Sequence, residues 1–379
     1  MMPKVIVRRA GYDYEDLRPL VFEMMESFDR GLIRAGRKVV IKPNLLTAAP
    51  PERAMLTHPM IVRAIAEYVI AKGVRPQISD SPASGFFDRV LIESGLRREL
   101  TGLDVEFKSF KASMTVEVGE PFNHLEIAED ALRADVLINL PKLKTHSQML
   151  LTLGVKNLFG CVVGLRKPEW HLRAGVDRQK FAQLLVRIYD ALRPAINILD
   201  GILAMEGQGP GRGGTPRHLG VLLASDNAAA LDETVCRMLG IDPNTLLTVK
   251  AAEECLGCRR QISIDGDLPL IEDYRLPEIT PIVFGPSSIH GLLRKYLVQR
   301  PVVQTSLCKL CGECWRYCPA EAISHNREKV LFDYDKCIRC YCCLEVCPHG
   351  VLKTAEPLPG RVLRLISQWN DVGWLKSKS

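Results

Sequence analysis

The N-terminal part of the chain switches repeatedly between short apolar runs and longer stretches whose apolar residues recur every three or four positions. Runs at Lys4–Arg9, Lys38–Lys42, Gln77–Ser79, Val105–Phe110, Ala134–Leu140, Ala195–Leu199 and Leu219–Ala224 predict strands. Helical spacing falls between them. Tyr14–Gly31 puts Leu17, Leu20, Val21 and Met24 on one face. A helix opening at Thr57 or His58, with Pro59 in its first turn, carries Ile61, Ile65 and Val69. Phe86–Leu96, Arg178–Leu192, Ala228–Leu239 and, more weakly, Leu246–Cys255 follow the same rule. Strand alternating with helix predicts an α/β domain over residues 1–290 with a largely parallel sheet. Ile262–Phe284 is broken by prolines and yields no assignment, and Ser287–Pro301 reads as a connection.

In such sheets ligands bind beyond the carboxyl ends of the strands, and polar residues gather there. Lys42 and Asn44 follow the second strand, Asp80 the third, and Lys142, Lys144 and His146 follow the run ADVLINL. Lys156 and Asn157 lie just downstream. Asp200 ends another strand, with Glu206 and the glycine-rich EGQGPGRGGTPR beyond it. Lysines focused on one cleft would attract an anion. The expected binding residues are Lys42, Asn44, Lys142, Lys156, Asn157 and Glu206. The expected acid–base and orienting residues are Lys144, His146, Asp80 and Asp200. If KLKTH stays extended, its i, i+2, i+4 spacing points Lys142, Lys144 and His146 to one side. The glycine-rich loop is either a backbone nest for phosphate or a turn beside the site, and it fits neither dinucleotide nor Walker spacing. His171, in PEWH, is either a ligand contact or a helix-entry residue.

The C-terminal part has a different signature. Cys308, Cys311, Cys314 and Cys318 repeat as Cys337, Cys340, Cys343 and Cys347, each run spaced Cys-x2-Cys-x2-Cys-x3-Cys-Pro. That spacing holds two 4Fe–4S clusters, the fourth cysteine of each run serving the other cluster. Cys308, Cys311, Cys314 and Cys347 are therefore assigned to one, and Cys337, Cys340, Cys343 and Cys318 to the second. Structural zinc favours separated pairs, and disulfides favour small secreted chains, so neither suits this stretch. Cys342 falls out of register as a spare thiol, and Cys255 and Cys258 lack a second pair. The expected module spans 302–356. An amphipathic helix over 357–379 carries Val362, Leu365, Ile366, Trp369 and Val372 on one face, and is expected to pack on its own protein rather than on a membrane.

Composition changes this picture in two places. The formal charge of +6 suggests nucleic acid, but two clusters at about −2 each would leave about +2 (6 − 4), and the basic residues are scattered. No apolar run nears the roughly 20 residues of a membrane span, and the start of the chain lacks a signal-like apolar region, so a cytoplasmic protein is expected.

Residues 38–255 resemble the family called domain of unknown function 362. The resemblance rests on IKPNLL, THP, SDSPASG, INLPKLKTH, TLGVKNLFG, the DGI…MEGQGP loop with GTPR, and ALDETVCRMLG. The last module resembles a two-cluster bacterial ferredoxin, a fusion such proteins often carry. The family resemblance implies no settled activity. The expected function is an iron–sulfur oxidoreductase component, served by a redox partner protein, that passes electrons to an anionic small molecule in the α/β cleft. Two alternatives stay open: an electron carrier or assembly factor that docks a partner, and a non-redox Lys/His enzyme, isomerase-like, with a regulatory ferredoxin.

Overall fold

The computed structural model describes residues 2–83, 85–164, 166–174, 177–257, 261–278, 296, 299–355 and 357–359. The predicted helix beyond Gly360, most of the predicted connection and Cys258 lie outside them.

Among the described residues the strands of the first domain are β1 (Lys4–Arg9), β2 (Val39–Pro43), β3 (Gln77–Ile78), β4 (Glu106–Phe107), β5 (Ser113–Gly119), β6 (Asn123–Ala128), β7 (Val136–Leu140), β8 (Lys142–His146), β9 (Leu150–Thr152), β10 (Ile196–Gly207), β11 (Gly214–Ser225) and β12 (Ser263–Asp265). Eight of them order as β12-β1-β11-β10-β7-β2-β3-β4, with β8 and β9 joined at β10, while β5 and β6 form a separate hairpin. The block β10-β7-β2-β3-β4 is parallel throughout, and β11 runs against both its neighbours. This is the expected largely parallel α/β sheet, and it sets the carboxyl ends of β2, β3 and β7 along one edge.

Local chemistry fixes the helices that cover it. Asp177 caps Arg178–Leu192 by accepting from Gln179 and Lys180 N–H at 2.9 and 3.0 Å. That helix buries Phe181, Leu184, Leu185 and Ile188 on one stripe. His58 caps Pro59–Ala71, with Pro59 at its first position as the sequence predicts. The expected helix over Phe86–Leu96 is two shorter ones, Phe87–Glu93 and Leu96–Glu99, because Gly95 between them takes φ +76°. The helices at Tyr14–Asp29 and Pro59–Ala71 cover one face of the sheet and that at Arg178–Leu192 the other. Each face is thereby closed over a contiguous apolar core.

The cysteine-rich module is two copies of one turn. Its strands are β13 (Arg300–Val303), β14 (Ile323–His325), β15 (Val330–Phe332) and β16 (Leu352–Ala355), paired β13 with β16 and β14 with β15, both antiparallel. Positive φ recurs at matching places: Leu310 and Gly312 around Cys311, Arg339 and Tyr341 around Cys340, and Glu321 and Gly350 three residues after each final cysteine. In this alignment Cys342 stands where the first copy has Glu313. Both open the short helices Glu313–Arg316 and Cys342–Val346.

Candidate functional site

A cavity of about 90 Å³ lies at the carboxyl ends of β2 and β3. Its floor is made by Lys42 near the end of β2 and Asn44 just after it, Asp80 and Ser81 after β3, Lys144 and His146 on β8, and Thr152 on β9. Lys156 and Asn157 come from the short helix Gly154–Asn157, and Lys167 and His171 from the helix Arg166–Ala174. Its roof belongs to the other module: Tyr317, Cys342, Glu345 and Val346. Pro210 of the glycine-rich loop completes the wall.

Most of the floor is held by the protein itself. Lys42 Nζ lies 2.9 Å from Asp80 Oδ1 and also donates to Pro43 O. Asp80 Oδ2 accepts from Leu45 N–H at 2.8 Å. Gly160 packs against this pair so closely that a Cβ there would sit 2.2 Å from Asp80 Oδ1, so only glycine fits. Lys144 donates to Asn44 Oδ1 at 2.8 Å and Met55 O at 2.6 Å. From Asn44 a row of buried amides continues, each donating to the next oxygen: Asn44 to Asn157 (2.7 Å), Asn157 to Asn139 (2.8 Å), Asn139 to Asn197 (2.9 Å), and Asn197 to Ser225 O (3.2 Å). Lys167 donates to Ser81 Oγ at 2.9 Å.

His146 links floor to roof. Its Nδ1 accepts from Gln148 and Met149 N–H at 3.1 and 3.2 Å, which places the ring proton on Nε2. Nε2 lies 2.9 Å from Glu345 Oε1 but off hydrogen-bond alignment, so both atoms remain without an aligned partner. Burial, then the charge of Lys156, pushes His146 down to about 4. Burial opposes ionisation of Glu345, but His146 and Lys156 outweigh it and hold the carboxyl near 2. Burial, then Lys156, lowers Lys144 to about 7. His171 stacks on Phe181 with ring centroids 4.3 Å apart, and burial lowers it to about 3.

Three expected site residues lie elsewhere. Lys142 does not share the side of Lys144 and His146. β8 pairs with β10 through Asp200↔Lys142 and then Met205↔Lys144, and the register break between them turns Lys142 away. Its ammonium pairs with Asp200 at 2.6 Å, and Asp200 also accepts from Tyr12 Oη and His58 N–H. This closed ion pair contributes to the core, not the cleft. Glu206 is bound by Arg217 at 3.0 Å and Arg275 at 2.6 Å, where β10 meets β11. The glycine-rich loop joins β10 to β11 and meets the module: a Cβ on Gly211 would approach Leu344 O to 3.2 Å, and one on Gly350 would meet Arg212 Cβ at 2.6 Å. Sequence reasoning left Thr152, Lys167, Tyr317, Cys342 and Glu345 out of the site. Only the odd cysteine gave any signal, by breaking the ligand register.

The eight motif cysteines fall into two cavities. Cys308, Cys311, Cys314 and Cys347 line one, and Cys318, Cys337, Cys340 and Cys343 the other. Burial, then the neighbouring Cys347, Cys311 and Cys308 sulfurs, pushes the Cys314 thiol up to about 12, the crowding expected of four sulfurs around one space. A cationic iron core would relieve it, so the donor set fits such a group. Ala322 N–H also donates to Cys318 Sγ at 3.3 Å. Among the described residues no helix is long and apolar enough to cross a membrane.

Residues 39–237, more than half the chain, match the family described as Domain of unknown function (DUF362), and residues 300–348 match the 4Fe-4S dicluster domain. The chain belongs to the former family and is an iron–sulfur protein with a ferredoxin-type domain. The thylakoid-associated protein sll1697 of Synechocystis sp. is 41% identical over 305 residues, covering 78% of this chain and 94% of that one. The pyruvate synthase subunit PorD of Methanocaldococcus jannaschii is 31% identical over 81 residues, 21% of this chain and 94% of its own. The electron transport protein HydN of Escherichia coli is 27% identical over 105 residues, 27% of this chain and 55% of its own. The lactate racemase apoprotein from Thermoanaerobacterium thermosaccharolyticum aligns with a TM-score of 0.39 at 14% identity, over 60% of this chain and 55% of that one, too slight a likeness to carry an argument.

Proposed function

We propose that this chain is an oxidoreductase component in which two 4Fe–4S clusters serve a small anionic ligand held between the α/β domain and the ferredoxin module. The observation that carries this reading is the roof of the cleft. Cys342, Glu345 and Val346 line the ligand cavity from the same helix that carries Cys343, a cysteine of the second four-thiol cavity. When bound, the clusters supply single low-potential electrons and no acid–base groups. Everything else falls to the chain. Lys156 and Lys144 hold negative charge, and His146 presents its Nε2 proton to the ligand. The Lys42–Asp80 pair and the amide row fix the floor, and the module's helix keeps bulk water out. The electron-transport name of HydN supports the redox reading. The presence of Lys144 and His146 in one cleft also suits the non-redox Lys/His enzyme, which would leave the clusters undisturbed by ligand.

One experiment separates the two. Anaerobically purified protein is reduced with dithionite, freed of excess reductant and mixed with short-chain 2-oxo carboxylates such as glyoxylate, whose carbonyl takes two electrons and two protons to become a hydroxyl, while the visible cluster absorption is followed. Return of the oxidised spectrum with one compound, well ahead of buffer alone, supports the relay. No response to any compound favours the non-redox enzyme. The same preparation should hold about eight irons. Cys340→Ser should lose about half of them, and Cys342→Ser none. Stoichiometric zinc would remove the cluster assignment.

A further inference from the structure

The four lysines that line the cleft are not equivalent. Lys42, Lys144 and Lys167 each donate to protein oxygens within the floor. Lys156, partly buried in the same wall, has no hydrogen bond or ion pair among the described residues. It shares its end of the cavity with three more unpartnered polar atoms: His146 Nε2, His171 Nδ1 and Thr152 Oγ1, on side chains 1%, 4% and 4% exposed. Buried polar groups are normally satisfied. One unbound ammonium beside an imidazole N–H and a hydroxyl is a set of donors waiting for ligand oxygens.

Size and charge narrow the ligand. A cavity of about 150 Å³ holds benzene, six heavy atoms, so about 90 Å³ excludes a nucleotide or flavin from the enclosed part. Glu345 Oε1, 2.9 Å from His146 Nε2, places a negative charge where a second anionic group would sit. Inorganic phosphate, divided between mono- and dianion near neutral pH, meets that charge in its dianionic form as oxalate would. We infer that this end of the cleft binds a small monoanionic carboxylate carrying one further uncharged oxygen, of about six heavy atoms at most, with its carboxylate on Lys156 and the other oxygen on His146. The inference rests on the cleft being a ligand site, as proposed above. It adds Glu345, from the ferredoxin module, as the residue that sets the charge preference.

Calorimetric titration of the anaerobic, cluster-loaded full chain with glycolate, glyoxylate, acetate, oxalate and inorganic phosphate tests it. Glycolate or glyoxylate should bind about tenfold or more tightly than acetate, which lacks the second oxygen, and more tightly than oxalate or phosphate. Lys156→Met should weaken that binding about ten- to hundredfold, the range for one charge-assisted hydrogen bond. Lys156→Gln serves if the Met variant loses its visible absorption. Glu345→Gln should shift preference toward oxalate. Failure of both glycolate and glyoxylate to bind, equal affinity for acetate, tightest binding of phosphate, or unchanged affinity in the Lys156 variants would overturn the inference. Binding on Lys156 that leaves cluster reoxidation unchanged keeps this inference and ends the electron-relay reading. Reoxidation by a compound indifferent to Lys156 does the reverse.

Discussion

Lys142 and Lys144 stand two residues apart on one strand, are both almost fully buried, and do different work. Lys142 meets a carboxylate head-on, and Asp200 has its remaining capacity taken by Tyr12 and His58. Lys144 meets two neutral oxygens, Asn44 Oδ1 and Met55 O, and keeps a face on the cleft. A buried cation with a full counter-charge is locked into the fold. One held only by dipoles keeps its attraction for an anion arriving from outside. Two lysines in one short string thus stand in different surroundings, one closed in an ion pair and one on the wall of the cleft.

The largest expected effect tests the structural member. Lys142→Met leaves Asp200 buried without its counter-ion and should cost about 3–5 kcal/mol in denaturant unfolding. Ligand affinity of the protein that remains folded should not change. A loss under about 1 kcal/mol would mean that the pair is not the anchor described.

Lys144→Met is the converse. It removes a cation that burial disfavours but leaves Asn44 Oδ1 and Met55 O without their donor, so the two effects oppose and stability should fall by less than in Lys142→Met. Cluster reoxidation by ligand should fall about a hundredfold, the lower range for a positioned proton-transfer or charge-bearing group, with iron content unchanged. His146→Ala should match it. Unaltered reoxidation in both variants would reduce KLKTH to a basic strand.

The third test is pH. Lys144 is lowered to about 7 by burial, then by Lys156 and Lys142, against the opposing pull of Glu345 and Asp80. Anion binding should therefore weaken as pH rises through about 7, and Lys144→Met should flatten that slope. The stability sign is opposite. Between about pH 7 and the ordinary lysine value of about 10.4, the unfolded chain binds the proton that the folded chain has lost. This residue's contribution to stability therefore rises with pH there. The urea midpoint of wild type should therefore rise relative to that of Lys144→Met across that window.

The alternation of periods was enough to read the parallel sheet, and the helix Arg178–Leu192 matches its predicted bounds. What escaped was what periodicity does not encode. The hairpin β5–β6 is mostly polar or half exposed, so its alternation is faint. KLKTH, read as a segment beyond the strand that could stay extended, is itself a strand, paired with β9 on one side and β10 on the other. Lys42, Asn44, Asp80, Lys144, His146, Lys156 and Asn157 do meet in one cavity, as strand-end reasoning suggested. Asp200, Lys142 and Glu206 do not, because a register break and two arginines draw them into closed pairs. Glu345 was beyond reach of the sequence: it lines the cleft only because a distant module folds over it.

The amide row behind Lys144 has a direction. Ser225 O can only accept, so Asn197 must turn its NH2 toward it and its oxygen toward Asn139, and the same choice passes on through Asn157 to Asn44. By the time it reaches the cleft, Asn44 has no freedom left: it shows Lys144 an oxygen, never an NH2. Backbone carbonyls at Ser225 and Gly154 thus act as a compass for a side chain at the far end of the row. Asn197→Asp would keep that bearing, because a carboxylate still accepts from Asn139, but it would leave Ser225 O without its donor.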